Sequence, residues 1–165
     1  MLDLRLVFAT LSLCILAACT GPDAPPVTAT ASPSASPGSE QGEAIVRVGD
    51  VAIRASAIQT SQLGEGIARQ YGIERAPNTV LLLVTVRRGD DASATAMPAT
   101  VKATATDLRG GRQELAMREL RSGDLLDHAG IATTTLPDTL RFDVTVAGAD
   151  GRVSTLQFSR DFYPR

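Results

Sequence analysis

Apolar and polar residues alternate with period two along most of the chain beyond Ile45. In "VAIRASA", Val51, Ile53, Ala55 and Ala57 share one face. In "TLRFDVTV", Leu140, Phe142, Val144 and Val146 do the same, leaving Arg141 and Asp143 on the other face. Successive side chains of a strand point to opposite faces, so this pattern predicts half-buried strands. "TVLLLVTVR" differs, because Val80, Leu82, Val84 and Val86 occupy one face while Leu81 and Leu83 make the other apolar too. A strand apolar on both faces belongs in the middle of a sheet. "ATVKATATDL" and "RQELAMREL" flank Arg109-Gly110-Gly111, and Asp150-Gly151 precedes "STLQFSRDF", whose Leu156, Phe158 and Phe162 lie on one face. Both glycine pairs favour tight hairpins. A weaker strand is expected through "HAGIATTT". About seven strands at this spacing predict an all-β fold, an immunoglobulin-like β-sandwich.

One segment keeps a different period. "SQLGEGIARQYGI" places Leu63, Ile67 and Tyr71 four apart, with Ser61 suited to the N-cap and Gly72 to a left-handed C-terminal position. Gly64 and Gly66 each cost about 1 kcal/mol relative to alanine, so tertiary packing must hold this helix. It is expected to be a short crossover lying over one end of the sandwich. "GRQELAMRELR" also sets Glu114 and Arg118 at helical spacing, but the preceding Gly-Gly and the run of strands favour sheet.

The first residues follow neither pattern. The apolar run from Leu6 to Ala18 is shorter than the roughly 20 residues of a spanning helix, and it ends in small residues. That is the pattern of an export signal. Leu16-Ala17-Ala18-Cys19 matches the lipobox of bacterial lipoprotein precursors, in which the cysteine thiol takes the lipid. Residues 1–18 are therefore expected to be a signal peptide and Cys19 the lipidation site, the membrane being a partner through that lipid. Thr20 is uncharged and lacks the aspartate that retains lipoproteins in the inner membrane, so the expected address is the outer membrane, facing the periplasm. Thr20 to Gly42 is rich in Pro, Ala, Ser and Thr, has no aromatic residue, and cannot bury enough surface to offset its ordering entropy. It reads as a tether spanning roughly 25 Å as a flexible coil. Residues 43–165 form the single folded domain.

Charge and candidate chemistry narrow the function. The net charge of −2 argues against a general nucleic-acid binder. Tryptophan is absent, so stacking platforms are scarce. With Cys14 in the signal and Cys19 acylated, no disulfide is available and stability rests on a packed core. His128 is the only histidine; Asp124, Asp127 and His128 could contribute to a metal site, although adjacent strand residues would point to opposite faces. Arg88-Gly89-Asp90 spells an adhesion tripeptide, but between strands it is ordinary turn chemistry. No G-x-S-x-G elbow, phosphate loop or CxxC pair occurs.

The run Tyr71-Gly72-Ile73, Asn78 leading into "LLLVTV", "ATDL" at 105–108, "LAMREL" at 115–120, "TLRFDVTV" and the ending Phe162-Tyr163-Pro164 resemble, in order and spacing, a proteobacterial exported family catalogued as domain of unknown function 4426. The resemblance spans Val48 to Pro164 and implies an immunoglobulin-like sandwich in an exported protein. The chain departs from the family around Asp127-His128, where a more aromatic strand is expected. Tyr71, Arg75, Asn78 and Tyr163 are the polar or aromatic candidates for a binding surface. The expected role is a non-enzymatic binding or assembly module with no cofactor and an envelope protein as possible partner. The alternative is a metal-handling protein or enzyme using Asp124, Asp127 and His128.

Overall fold

A computed structural model describes residues 38–40, 42–89 and 93–164. The signal sequence, Cys19, most of the tether and Asp90 lie outside the described residues. The strands are β1 (Gly38–Glu40), β2 (Glu43–Val48), β3 (Val51–Gln59), β4 (Thr79–Arg88), β5 (Thr95–Ala96), β6 (Ala99–Thr106), β7 (Arg112–Leu115), β8 (Arg118–Ser122), β9 (Leu125–Thr133), β10 (Asp138–Gly148) and β11 (Val153–Phe162). They form two antiparallel sheets. The larger has the order β1-β2-β3-β4-β9-β8, with β5 pairing β4; the smaller has the order β11-β10-β6-β7. The fold is the expected all-β sandwich of immunoglobulin-like type, with more and shorter strands than the sequence pattern resolves. No helix among the described residues is long and apolar enough to cross a membrane.

The alternating faces meet between the sheets. Ile53, Ala55, Ala57, Val80, Leu82, Val84, Leu140, Phe142, Val144, Leu156, Phe158 and Phe162 form one buried cluster. Phe142 stacks on Phe158 with ring centroids 5.1 Å apart, a geometry that adds to plain area burial. Val80, Leu82 and Val84 are fully buried because β4 lies between β3 and β9, as its two apolar faces require. Its other face is used as well: Leu81 joins Ile73, Leu120 and Ala129 in a second cluster on the outside of the larger sheet.

That second cluster explains where the helix sits. The connection from β3 to β4 contains a 3-10 turn, Thr60–Gln62, and the α-helix α1, Glu65–Tyr71. The helix starts later than Ser61 would have it: Gly64 is the N-cap, and no side chain caps the end. Gly72 does terminate it in the left-handed region, at φ 60° and ψ 39°. The buried helical residue is Ala68, whereas Ile67 is 48% exposed. Leu63 and Tyr71 pack over Leu81 and Leu120, so the helical segment covers the outer face of the larger sheet instead of an end of the sandwich.

"RQELAMREL" is not one strand. It breaks after Leu115, and β7 and β8 belong to different sheets, so the chain crosses from one layer to the other at Ala116-Met117. Gly130 lies closely against that crossing: a Cβ there would lie 2.5 Å from the Met117 sulfur and 3.2 Å from the Leu115 Cβ. Gln113 fastens the same side: its Oε1 accepts from the Thr133 backbone N–H at 2.9 Å, and its Nε2 donates to the Thr133 carbonyl at 2.6 Å. The "HAGIATTT" strand thus lies inside the sheet, between β4 and β8. Gly38–Glu40, within the segment read as a tether, pairs with β2.

Candidate functional site

The residues with candidate chemistry are dispersed. On β9, Asp127 and His128 face opposite sides, as neighbouring strand residues do. His128 lies opposite Val84 and points into the core, where it is 4% exposed. Its Nε2 lies 3.0 Å from the Ala99 carbonyl oxygen. A carbonyl only accepts, so Nε2 carries the proton, and Nδ1 has no partner among the described residues. Asp127 is on the outer face in an ion pair with Arg87, which also donates to the Leu126 carbonyl at 2.7 Å. Asp124 is exposed in the turn before β9. The three do not converge, and no group of three or more metal-binding side chains occurs among the described residues.

Tyr71, Arg75, Asn78 and Tyr163 act largely through their backbones or as local ties. The Tyr71 carbonyl accepts from Arg118 at 2.6 Å. Arg75 donates to the Ser61 carbonyl at 2.8 Å and lies 3.6 Å from Glu65. The Asn78 carbonyl accepts from the Thr134 N–H at 2.9 Å. The Tyr163 carbonyl accepts from Gln59 Nε2 at 3.2 Å, while its side chain is 60% exposed. Gln59 also donates to the Pro77 carbonyl at 3.1 Å. Thr60 Oγ1 receives the Ala76 N–H at 2.9 Å and lies 2.5 Å from Thr79 Oγ1. Gln59 and Thr60 are both buried, and they draw Arg75, Asn78 and Tyr163 to one closed end of the sandwich. Tyr71 lies apart, over the outer face of the larger sheet.

The opposite end is open. The turn between β2 and β3, the end of β4, Met97-Pro98 and the β10–β11 hairpin surround a cleft of about 80 Å³. Its lining is mainly apolar: Val48, Val51, Val86, Met97 and Val146. Charged side chains stand at its edge in two exposed pairs, Arg88–Asp50 at 3.4 Å and Arg152–Asp150 at 3.7 Å. Its volume is about half of the ~150 Å³ that holds a benzene, so a single small apolar group fits it. The sequence carried a faint signal for this end. Val48 and Val51 flank Gly49-Asp50, so the turn holds two valines where a purely polar tip would serve.

Two antiparallel sheets around one core, closed at one end by buried polar side chains and open at the other on an apolar cleft, define an immunoglobulin-like sandwich domain. The chain belongs to the family described as Domain of unknown function (DUF4426), whose model matches residues 45–165. It is similar to a crystal structure of a member of this family from Pseudomonas aeruginosa PAO1. The TM-score is 0.63 at 21% identity, covering 75% of this chain and 97% of that one. At that identity the likeness concerns the fold alone. Two structures of FetP from uropathogenic Escherichia coli strain F11 align over 78% of this chain. The first is the protein as isolated, at 12% identity, TM-score 0.48 and 96% of its length. The second is a copper-bound variant, at 13% identity, TM-score 0.49 and 97% of its length. No curated protein matches the chain.

Proposed function

We propose that this chain is a bacterial envelope lipoprotein, anchored through Cys19 in the outer membrane, whose sandwich serves as a non-enzymatic binding or assembly module in the periplasm. The observation that carries the binding role is the apolar cleft between Val48, Met97 and Val146. An open, apolar concavity with charged side chains at its edge is the usual form of a site that takes a group from another molecule. The scatter of Asp124, Asp127 and His128 is consistent with this role, since a reaction centre needs its groups within reach of one another. The lipobox sequence supports the anchor, and the run of Pro, Ala, Ser and Thr after it supports a spacer between membrane and domain.

A photoreactive amino acid at Met97 tests the site in cells. A partner adduct formed from Met97 and lost when Val48→Arg blocks the cleft is the expected result. An adduct formed equally well from Arg112, on β7, would count against the cleft. Fractionation tests the anchor: Cys19→Ser should release the domain from membranes or leave an uncleaved precursor, and Cys14→Ser should do neither.

A further inference from the structure

We infer that the outer edge of β11, unpaired among the described residues, pairs with β11 of a second copy of this chain, joining two smaller sheets into one. The edges of the two sheets are unequal. β1 has three residues and β5 two. β7 is "RQEL" and β8 is "RELRS", both short and charged. Shortness and charge are the devices that keep strand edges from pairing with other chains. β11 has ten residues, and its first half, Val153 to Gln157, carries neither charge nor proline. Its one inward charge, Arg160, lies in the second half and is engaged with the Ala57 carbonyl of β3.

The backbone groups of that edge can be assigned. The Gly148 N–H donates to the Arg152 carbonyl, and Ala147 lies opposite Val153. In antiparallel pairing, hydrogen-bonded and non-hydrogen-bonded pairs alternate. Ser154, Leu156, Phe158 and Arg160 therefore bond to β10, and Val153, Thr155, Gln157, Ser159 and Asp161 turn their N–H and C=O groups outward.

The strand's own sequence argues for a second copy as the occupant. A two-fold axis through Gln157 sets Thr155 opposite Ser159 of the second copy, and Thr–Ser is a favourable cross-strand pair. The same axis sets Val153 opposite Asp161 and Ser154 opposite Arg160, so no like charges meet. The outward groups of the two strands then satisfy one another, giving a continuous sheet of eight strands, four from each copy. An isologous contact of this kind closes on itself as a dimer.

Disulfide trapping of the purified full chain in detergent, equilibrated in glutathione buffer, tests this without reference to where the protein resides. Hydrogen-bonded residues on paired strands have Cα atoms about 5.5 Å apart, inside the range a disulfide spans. Gln157→Cys should give a covalent dimer; Thr145→Cys, on the same outer face but on β10, should not. Thr155→Pro removes an outward N–H without touching the β10 ladder, and combined with Gln157→Cys it should reduce the dimer to the Thr145→Cys level. Thr155→Lys, which retains the backbone donor but places a charge at the contact, should also weaken trapping and serves if the proline variant does not fold. Absence of a Gln157→Cys dimer overturns the inference. So does equal trapping from Thr145→Cys, or trapping unaffected by both Thr155 variants.

Discussion

Where β3 leaves the sandwich, Gln59 and Thr60 are buried and tie three chain segments together through Pro77, Ala76 and Tyr163; at the other end Val48, Val51 and Met97 stay partly open around a cleft. The first end spends polar side chains on carbonyl and N–H groups that loop structure would otherwise leave unpaired. The second leaves apolar surface in reach of solvent. The family-like motifs at Tyr71-Gly72-Ile73, Asn78 and Phe162-Tyr163-Pro164 belong to the closed end or to the helix that precedes it. These residues are accounted for by a helix stop, a strand entry and a terminal strand. A motif that holds a loop in place does not by itself mark a binding site. The open end, where Val86 and Val146 line an apolar cleft, is the better place to look.

Phe142 lies in the core between the two ends and sets the scale. It is fully buried and stacked on Phe158, so Phe142→Ala should cost about 3–5 kcal/mol in denaturant unfolding. A loss below about 1 kcal/mol would show that the small sheet tolerates a cavity and that the core is not the common support of both ends. Thr60→Val comes next. It keeps the shape but orphans the Ala76 N–H, and each unsatisfied buried group costs about 1–3 kcal/mol. Met97→Ala removes side-chain volume at the open end, but Met97 is only partly buried. Its cost should fall below the 2–5 kcal/mol of a fully buried methionine, to about 1 kcal/mol. If Met97→Ala proved as costly as Thr60→Val, the two ends would be equally rigid and the contrast would fail.

Much of this fold was legible from alternation, because alternation is what a half-buried strand imposes on sequence. Leu140 to Val146, Leu156 to Phe162 and the doubly apolar Val80 to Val86 fall where period two put them. The helix was harder. Its spacing of Leu63, Ile67 and Tyr71 fits an amphipathic stripe, yet seven residues make barely two turns, and the residue that ends up buried is Ala68 instead of Ile67. The split at Ala116-Met117 was hidden because both halves are strand-like and only the partner sheet differs. Gly130, read alone, gives no hint that Met117 will lie against it. His128 and Asp127 were correctly separated by strand geometry, but nothing local tells that the histidine faces the core. The cleft is assembled from turns far apart in sequence, so no single stretch announces it.

The smallest effect should come from the cleft edge, and its smallness sharpens the contrast. Asp50 and Arg88 are 3.4 Å apart with side chains 69% and 50% exposed, so water and salt screen their attraction. The Asp50 backbone carbonyl, which accepts from the Gly89 N–H at 2.9 Å, is unchanged by a side-chain substitution. Asp50→Ala should therefore shift stability by no more than about 0.5 kcal/mol, and less at high salt. Thermal melts at low and high ionic strength measure both. A loss near that of Thr60→Val, insensitive to salt, would mean that the edge of the cleft is held as firmly as the closed end. An easily altered edge fits a surface shaped for a visiting group, because the fold then places little demand on the side chains that meet it.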